Sequence, residues 1–155
     1  MVLAMFTRGA SAHVMARLFG AATLATAAFG ASHACAADLT VVARGIVSGP
    51  GAIRVALYRG AEGFRHEDRA LRVLSVPARA TTIAVTFHDI PPGRYAVLAY
   101  HDANDDKKLD LRFGMFPKEG WGLSNDPRVM GPPSFAASAL DVTGAAMTTT
   151  ITMHY

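Results

Sequence analysis

The chain has 155 residues, of which 51% are hydrophobic, and a formal net charge of +3 from 15 basic and 12 acidic side chains. So small a surplus gives no reason to expect a nucleic-acid partner. The single cysteine, Cys35, excludes an intramolecular disulfide, so the fold must be stabilised by its hydrophobic core.

The first 37 residues have the layout of a secretory signal peptide. Arg8 and Arg17 are their only strong charges, and an alanine-rich apolar run follows over 18–31. This run is shorter than the roughly 20 residues of a spanning helix, so a membrane anchor is the weaker alternative, as is acylation of Cys35. We expect a signal peptide over 1–37, no membrane span after cleavage, and a periplasmic or secreted protein.

Segments after residue 38 alternate apolar and polar side chains with a period of two, which is typical of strands with one buried face. The clearest are AIRVALY at 52–58, TTIAVTFHDI at 81–90 and TTTITMHY at 148–155, which we expect to be antiparallel. Glycine and proline in SGPG and PPG suit tight turns near the strand ends. Residues 38–155 are therefore predicted to form one all-β domain, an antiparallel sandwich of about seven strands.

The stretch 102–137 is rich in Gly, Pro, Asp and Asn and has almost no regular alternation. Loops of this length are usually functional or disordered, and its aromatic residues argue against disorder. We predict an ordered excursion that caps one end of the sandwich. Its only tryptophan, Trp121, is expected either to plug that end or to anchor a ligand or partner, and the plug is the favoured interpretation.

The sequence HDANDDKKLD contains a candidate calcium loop. Calcium prefers six to eight oxygen ligands, and a loop can supply side-chain oxygens at positions 1, 3 and 5, a carbonyl at 7 and a further carboxylate at 9. These positions hold Asp102, Asn104, Asp106, the carbonyl of Lys108, and Asp110.

Two residues depart from the calcium-loop pattern. Lys107 stands where a glycine is usual, and Phe113 stands where a bidentate glutamate completes the shell. A non-glycine residue in the left-handed conformation costs about 1 kcal/mol. The competing interpretation is a solvated acidic turn, whose Asp and Asn side chains accept bonds from nearby amides. The departures favour that turn, and a calcium site here would be weak, with Kd about 10⁻⁴ to 10⁻³ M.

No spacing in the sequence selects a catalytic group. The histidines lie in separate segments, and no serine lies in a nucleophile elbow. We therefore predict a protein without enzymatic activity. The alternative is a periplasmic hydrolase that uses carboxylates of the 102–137 excursion with His101, which ends a strand and is placed to hydrogen-bond the acidic loop.

Several segments together resemble the bacterial domain of unknown function 2141 family. They are GAIRVALYRGAEGF, FHDIPPGRYAVLAYHDANDDKKLD, FPKEGWGLSND and GPPSF, and the resemblance extends over 38–155. It implies an immunoglobulin-like or transthyretin-like β-sandwich in the cell envelope with no catalytic residues. In the family the acidic loop often reads D-x-N-x-N-G-K-L-D, so Lys107 replaces the family's glycine.

The resulting prediction is a secreted or periplasmic binding or structural module without catalytic activity. Its partner would be an unidentified protein or glycan of the cell envelope. Trp121 and His101 are the candidate contact residues, and calcium is the one cofactor considered.

Overall fold

The structure is a computed structural model that describes residues 35–114, 116–128 and 131–155. The predicted signal peptide lies outside these residues apart from its last three. Among the helices described, none is long and apolar enough to cross a membrane.

The described part of the chain is nearly all β, as predicted. Its elements are β1 Ala37–Arg44, β2 Ala52–Tyr58, a 3-10 turn Glu67–Arg69, β3 Arg72–Pro77, β4 Thr82–Ile90, β5 Gly93–Asp102, β6 Leu111–Arg112, β7 Phe116–Pro117, β8 Trp121–Leu123, α1 Phe135–Ser138, β9 Ala139–Val142 and β10 Met147–Thr152. The alternation at 52–58 coincides with β2, and that at 81–90 contains β4.

The strands form two larger sheets and one small hairpin. The first sheet has the order β10-β1-β4, and the second has the order β3-β2-β5, with β8 and β9 both pairing the far edge of β5. Strands β6 and β7 pair only with each other.

One pairing differs from the antiparallel arrangement that we expected. Strand β10 runs parallel to β1, with Leu39 opposite Met147 and Arg44 opposite Thr152. Only strands joined by a tight hairpin must be antiparallel, and most of the domain separates β1 from β10 along the chain. The alternation of 148–155 predicted a strand but carried no information about its direction.

The main core lies between the inner faces of the two sheets. The predicted apolar faces of β2, β4 and β10 all point into it. Its largest buried side chains include Leu39, Val41, Ile53, Val55, Leu57, Phe87, Tyr95 and Ile151. The period-two pattern therefore identified the core residues of these strands.

A second apolar cluster covers the outer face of the five-stranded sheet. It contains Ala56, Tyr58, Phe64, Ala96, Leu98, Tyr100 and Leu123, with Leu109, Trp121 and Phe135 packed against it. The expectation that β2 is half-buried is therefore wrong, because the segment after β2 and the excursion bring their own apolar side chains onto this face. The excursion, where the structure describes it, packs on this face of the sheet through Leu109, Trp121 and Phe135.

Candidate functional site

The buried carboxylate of Asp102 organises the acidic loop, residues 102–110. Asp102 is the last residue of β5, and its side chain is fully buried. Its Oδ1 accepts the Asp106 N–H at 3.0 Å, and its Oδ2 accepts the Lys107 N–H at 3.0 Å. The loop is therefore wound around a carboxylate that both amides neutralise in part.

Two further side chains bond backbone amides within the loop. The Asn104 Oδ1 accepts the Asp106 N–H at 3.2 Å, and the Asp106 Oδ1 accepts the Lys108 N–H at 2.9 Å. These are the local bonds that the acidic-turn interpretation described. Lys107 has φ 63°, so the position that lacks its glycine does adopt the left-handed conformation.

Glu119 closes the neck of the acidic loop. Its Oε1 accepts the Ala103 N–H at 2.9 Å, and its Oε2 accepts the Asp110 N–H at 3.0 Å. The Lys118 N–H also donates to the Asp110 carbonyl at 2.8 Å. One carboxylate thus accepts hydrogen bonds from both ends of the loop. No motif or residue spacing in the sequence indicated this role of Glu119.

A polar network on the outer face of the sheet stands next to Asp102. Arg54 of β2 donates to both oxygens of Glu67, through Nε at 2.8 Å and through Nη2. The Tyr100 hydroxyl also donates to Glu67, and Arg54 Nε lies 3.8 Å from Asp102 Oδ2. Only 12% of the Arg54 side chain is exposed, so this cation is held among partners in a largely dry environment.

The network sets the protonation of its members. Burial by itself raises the pKa of Glu67, but the hydrogen bonds from Arg54 and Tyr100 outweigh it and hold that pKa below its usual value. Burial and the neighbouring Glu67 carboxylate raise the pKa of Tyr100. The bond to Glu67 raises the pKa of Arg54 further. The network therefore contains a charged arginine, an ionised glutamate and a neutral tyrosine at pH 7.

The predicted calcium ligands lie together in the acidic loop, but several of their side-chain oxygens already accept hydrogen bonds from backbone amides. Both oxygens of Asp102 accept amide bonds, as do one oxygen each of Asn104 and Asp106. In the described ranges, no group of three or more His, Cys, Asp or Glu side chains is arranged to hold a metal ion. Calcium binding by the loop stays a prediction.

The side chain of His101 lies away from the acidic loop. Its Nε2–H donates to the Pro50 carbonyl at 2.8 Å, and its Nδ1 accepts from the Tyr155 hydroxyl at 3.2 Å. That hydroxyl also accepts the Val47 N–H at 3.0 Å. The expected bond from His101 to the acidic loop is wrong, because alternation along β5 directs His101 and Asp102 to opposite faces. His101 instead ties the C-terminal residue to the β1–β2 connection.

Trp121 lies in β8, opposite Tyr100 of β5. It is partly buried and packs against the outer cluster. Its backbone N–H and carbonyl both bond His154, at 2.9 and 2.7 Å. Its side chain therefore has a packing role, and a contact of Trp121 with a ligand stays a prediction.

Among the residues of the excursion that the structure describes, the most exposed large apolar side chains lie on an aromatic hairpin, residues 111–114 and 116–118. Leu111, Phe113 and Phe116 are 42%, 85% and 62% exposed. Arg112 and Lys118 are also exposed, and with the two phenylalanines and Pro117 they line an open cleft of about 590 Å³. Sequence reasoning used these phenylalanines as a sign of order, and Phe113 also as a departure from the calcium pattern, but proposed neither as a contact residue. The available signal was their position in a segment with two cations and no carboxylate.

A family described as "Uncharacterized protein conserved in bacteria (DUF2141)" matches the chain over residues 41–150. This match covers most of the described domain and confirms the resemblance drawn from its sequence motifs. No match was found among curated proteins or among solved structures.

Proposed function

The chain belongs to the bacterial DUF2141 family, whose description assigns no activity, and from this premise and the site geometry we propose that it is a non-catalytic binding module of the cell envelope. The proposed contact surface is the aromatic hairpin. The cell-envelope location rests on the signal-peptide layout of residues 1–37.

The observation that carries this proposal is the exposure of three large apolar side chains on one short hairpin. Burying a phenylalanine side chain is worth about 1.5–3 kcal/mol, which the fold does not gain from Phe113. Phe113 is 85% exposed although the same excursion buries Leu123 almost completely. Clustered apolar side chains at a protein surface are characteristic of interaction sites.

The base of the hairpin is fixed by the carboxylates described above. Glu119 follows the hairpin directly and bonds the amides of Ala103 and Asp110, while Asp102 holds the loop that leads into it. A contact surface on a rigid base loses less conformational entropy on binding than one on a free loop. The acidic loop is thus proposed to support the hairpin, and His101 and Trp121 to hold the surrounding chain in place.

Site-specific photo-cross-linking in bacterial cells tests the proposal. A benzoylphenylalanine at position 113 or 116 should form adducts with a partner molecule. The control is the same residue at position 71, because Leu71 is 49% exposed but lies on the β2–β3 connection. Equal adduct formation at 71 and at the hairpin, or none at any position, would contradict the proposal.

A further inference from the structure

The aromatic hairpin combines apolar and cationic groups without a carboxylate. Arg112 and Lys118 flank Phe113 and Phe116 in sequence, and residues 111–118 contain no Asp or Glu. Neither cation forms an ion pair within the part of the chain that the structure describes. A ligand that matched this surface would be both apolar and negatively charged.

The carboxylates nearest in sequence lie at the base of the hairpin. Asp110 precedes it and Glu119 follows it. Both oxygens of Glu119 accept backbone amides, so this charge is directed toward the acidic loop. Negative charge is therefore concentrated at the base, while Arg112 and Lys118 line the same cleft as the phenylalanines.

The Cβ position of Gly114 in the aromatic hairpin faces open space. A side chain built on Gly114 would meet no atom within 4 Å, and Gly114 has φ 70°, as a tight turn at a tip requires. Phe113 beside it is 85% exposed. Exposed apolar side chains at such a turn can insert into the headgroup layer of a bilayer, because that layer is deformable.

We infer that the aromatic hairpin binds the surface of bilayers that contain anionic phospholipids. The phenyl groups of Phe113 and Phe116 enter the boundary between headgroups and acyl chains, where aromatic side chains are favoured. Arg112 and Lys118 bind the lipid phosphates, whose charge complements theirs. This inference rests on the proposed function, because it names the partner of the same surface.

Co-sedimentation of the purified protein with lipid vesicles tests the inference. The protein should bind vesicles of phosphatidylglycerol mixed with phosphatidylcholine and leave pure phosphatidylcholine vesicles unbound. Phe113→Ser with Phe116→Ser should weaken binding at least about tenfold, since two phenyl groups leave the bilayer. Arg112→Gln with Lys118→Gln should weaken it about fivefold for each charge removed.

A matched control removes one apolar and one cationic side chain elsewhere. Leu71→Ser with Arg94→Gln suits this purpose, because both residues are exposed and lie toward the other end of β5. Arg94 forms only an exposed ion pair with Asp141 at 3.4 Å, so its loss should leave the fold intact. This control should bind as well as the wild-type protein.

Inorganic phosphate separates a bilayer from an isolated anion as the ligand. It should weaken vesicle binding no more than sodium chloride of equal ionic strength, because the phenyl groups gain nothing from a free ion. Stronger competition by phosphate would overturn the inference. Equal binding to both vesicle types, or unchanged binding by the two hairpin variants, would also overturn it.

Two further outcomes would overturn the lipid inference but leave the proposed function standing. The first is an absence of vesicle binding while position 113 cross-links to a protein. The second is a dimer, seen by sedimentation velocity without lipid, that Phe113→Ser with Phe116→Ser abolishes. Loss of cross-linking at 113 and 116 would instead remove the proposed function itself.

Discussion

The acidic loop and the aromatic hairpin are adjacent in the excursion but use their side chains in opposite ways. In the acidic loop, Asp102, Asn104 and Asp106 turn toward backbone amides of the same loop. In the hairpin, Phe113 and Phe116 are exposed and contribute nothing to the buried core. The polar side chains of the acidic loop therefore stabilise the fold, whereas the aromatic side chains of the hairpin are available for binding. Substitutions in and around the two segments test that difference.

Asp102→Asn should destabilise the protein by about 2–3 kcal/mol. Each oxygen of the buried carboxylate accepts one loop N–H, so the Nδ2 group of an asparagine would face one of these donors, and the charge beside Arg54 is lost. Urea unfolding measures the free energy. Asp105→Asn is the matched control, because Asp105 is exposed in the same loop, and it should change the stability by less than about 0.5 kcal/mol. If the two variants changed the stability by similar amounts, the structural role assigned to Asp102 would be contradicted.

Glu67→Gln should cost about 1–2 kcal/mol at neutral pH, because it removes the carboxylate that accepts two hydrogen bonds from the largely buried Arg54 and leaves only Asp102, 3.8 Å away, to offset that charge. Folding lowers the pKa of Glu67, so its stabilising effect is present above the unfolded-state pKa of about 4.3 and is lost as pH falls through the lower folded-state pKa. The difference in melting temperature between variant and wild type should therefore shrink at acid pH.

The control for this prediction is Glu62→Gln, because Glu62 is exposed on the same β2–β3 connection. It should leave the melting temperature at neutral pH nearly unchanged, because substitutions of exposed surface residues have small effects. A gap between wild type and Glu67→Gln that stayed constant down to strongly acid pH would contradict the assigned ionic role of Glu67.

Lys107→Gly should stabilise the protein by about 0.5 kcal/mol. Glycine removes the left-handed strain of about 1–2 kcal/mol but adds chain entropy to the unfolded state. Chemical denaturation gives the difference. Gly114→Ala is a useful converse in the hairpin, where φ is 70° and the added methyl group meets no neighbour, so its effect should be left-handed strain partly offset by the lower entropy of the unfolded chain. A destabilised Lys107→Gly would show that the lysine side chain itself supports the loop.

Phe113→Ser with Phe116→Ser should change the free energy of unfolding by less than about 0.5 kcal/mol, because neither ring belongs to a packed cluster. Thermal melting and urea unfolding measure it. A loss of several kcal/mol would mean that the rings are buried in solution, and the hairpin would then belong to the fold rather than to a binding surface.

Millimolar calcium should leave the melting temperature unchanged. The two oxygens of Asp102 already accept amide bonds, and the Arg54 cation lies beside them. A rise in the wild type that Asp106→Ala abolishes would contradict this expectation and assign a weak calcium site to the loop.

Local patterns in the sequence were sufficient to predict which side chains form the inner core. The alternation of Ile53, Val55 and Leu57 identified the core face of β2, because a strand repeats its orientation every two residues whatever its partner. The direction of β10 relative to β1 was not available in this way. That direction depends on how the intervening chain brings β10 to the edge of the sheet beside β1.

Local sequence patterns could not predict the contacts on the outer face of the sheet or the hydrogen bonds that support the excursion. Arg54 alternates with core residues and was assigned to a solvent face, but Glu67 comes from 13 residues away to pair with it. Glu119 bonds Ala103 across 16 residues. Such bonds join segments that the chain brings together only when folded. The exposure of Phe113 is likewise a tertiary property, and the nearby cations Arg112 and Lys118 were the only sequence signal that pointed to it.

The central claim is that the hairpin contacts a partner while the acidic loop beside it does not. The most direct test places the same photo-cross-linking residue at position 105 and at position 113 in bacterial cells, and compares the adducts by mass spectrometry. Adducts from 113 that are absent or much weaker from 105 are predicted. Equal adducts from both positions, or adducts from 105 alone, would contradict the claim.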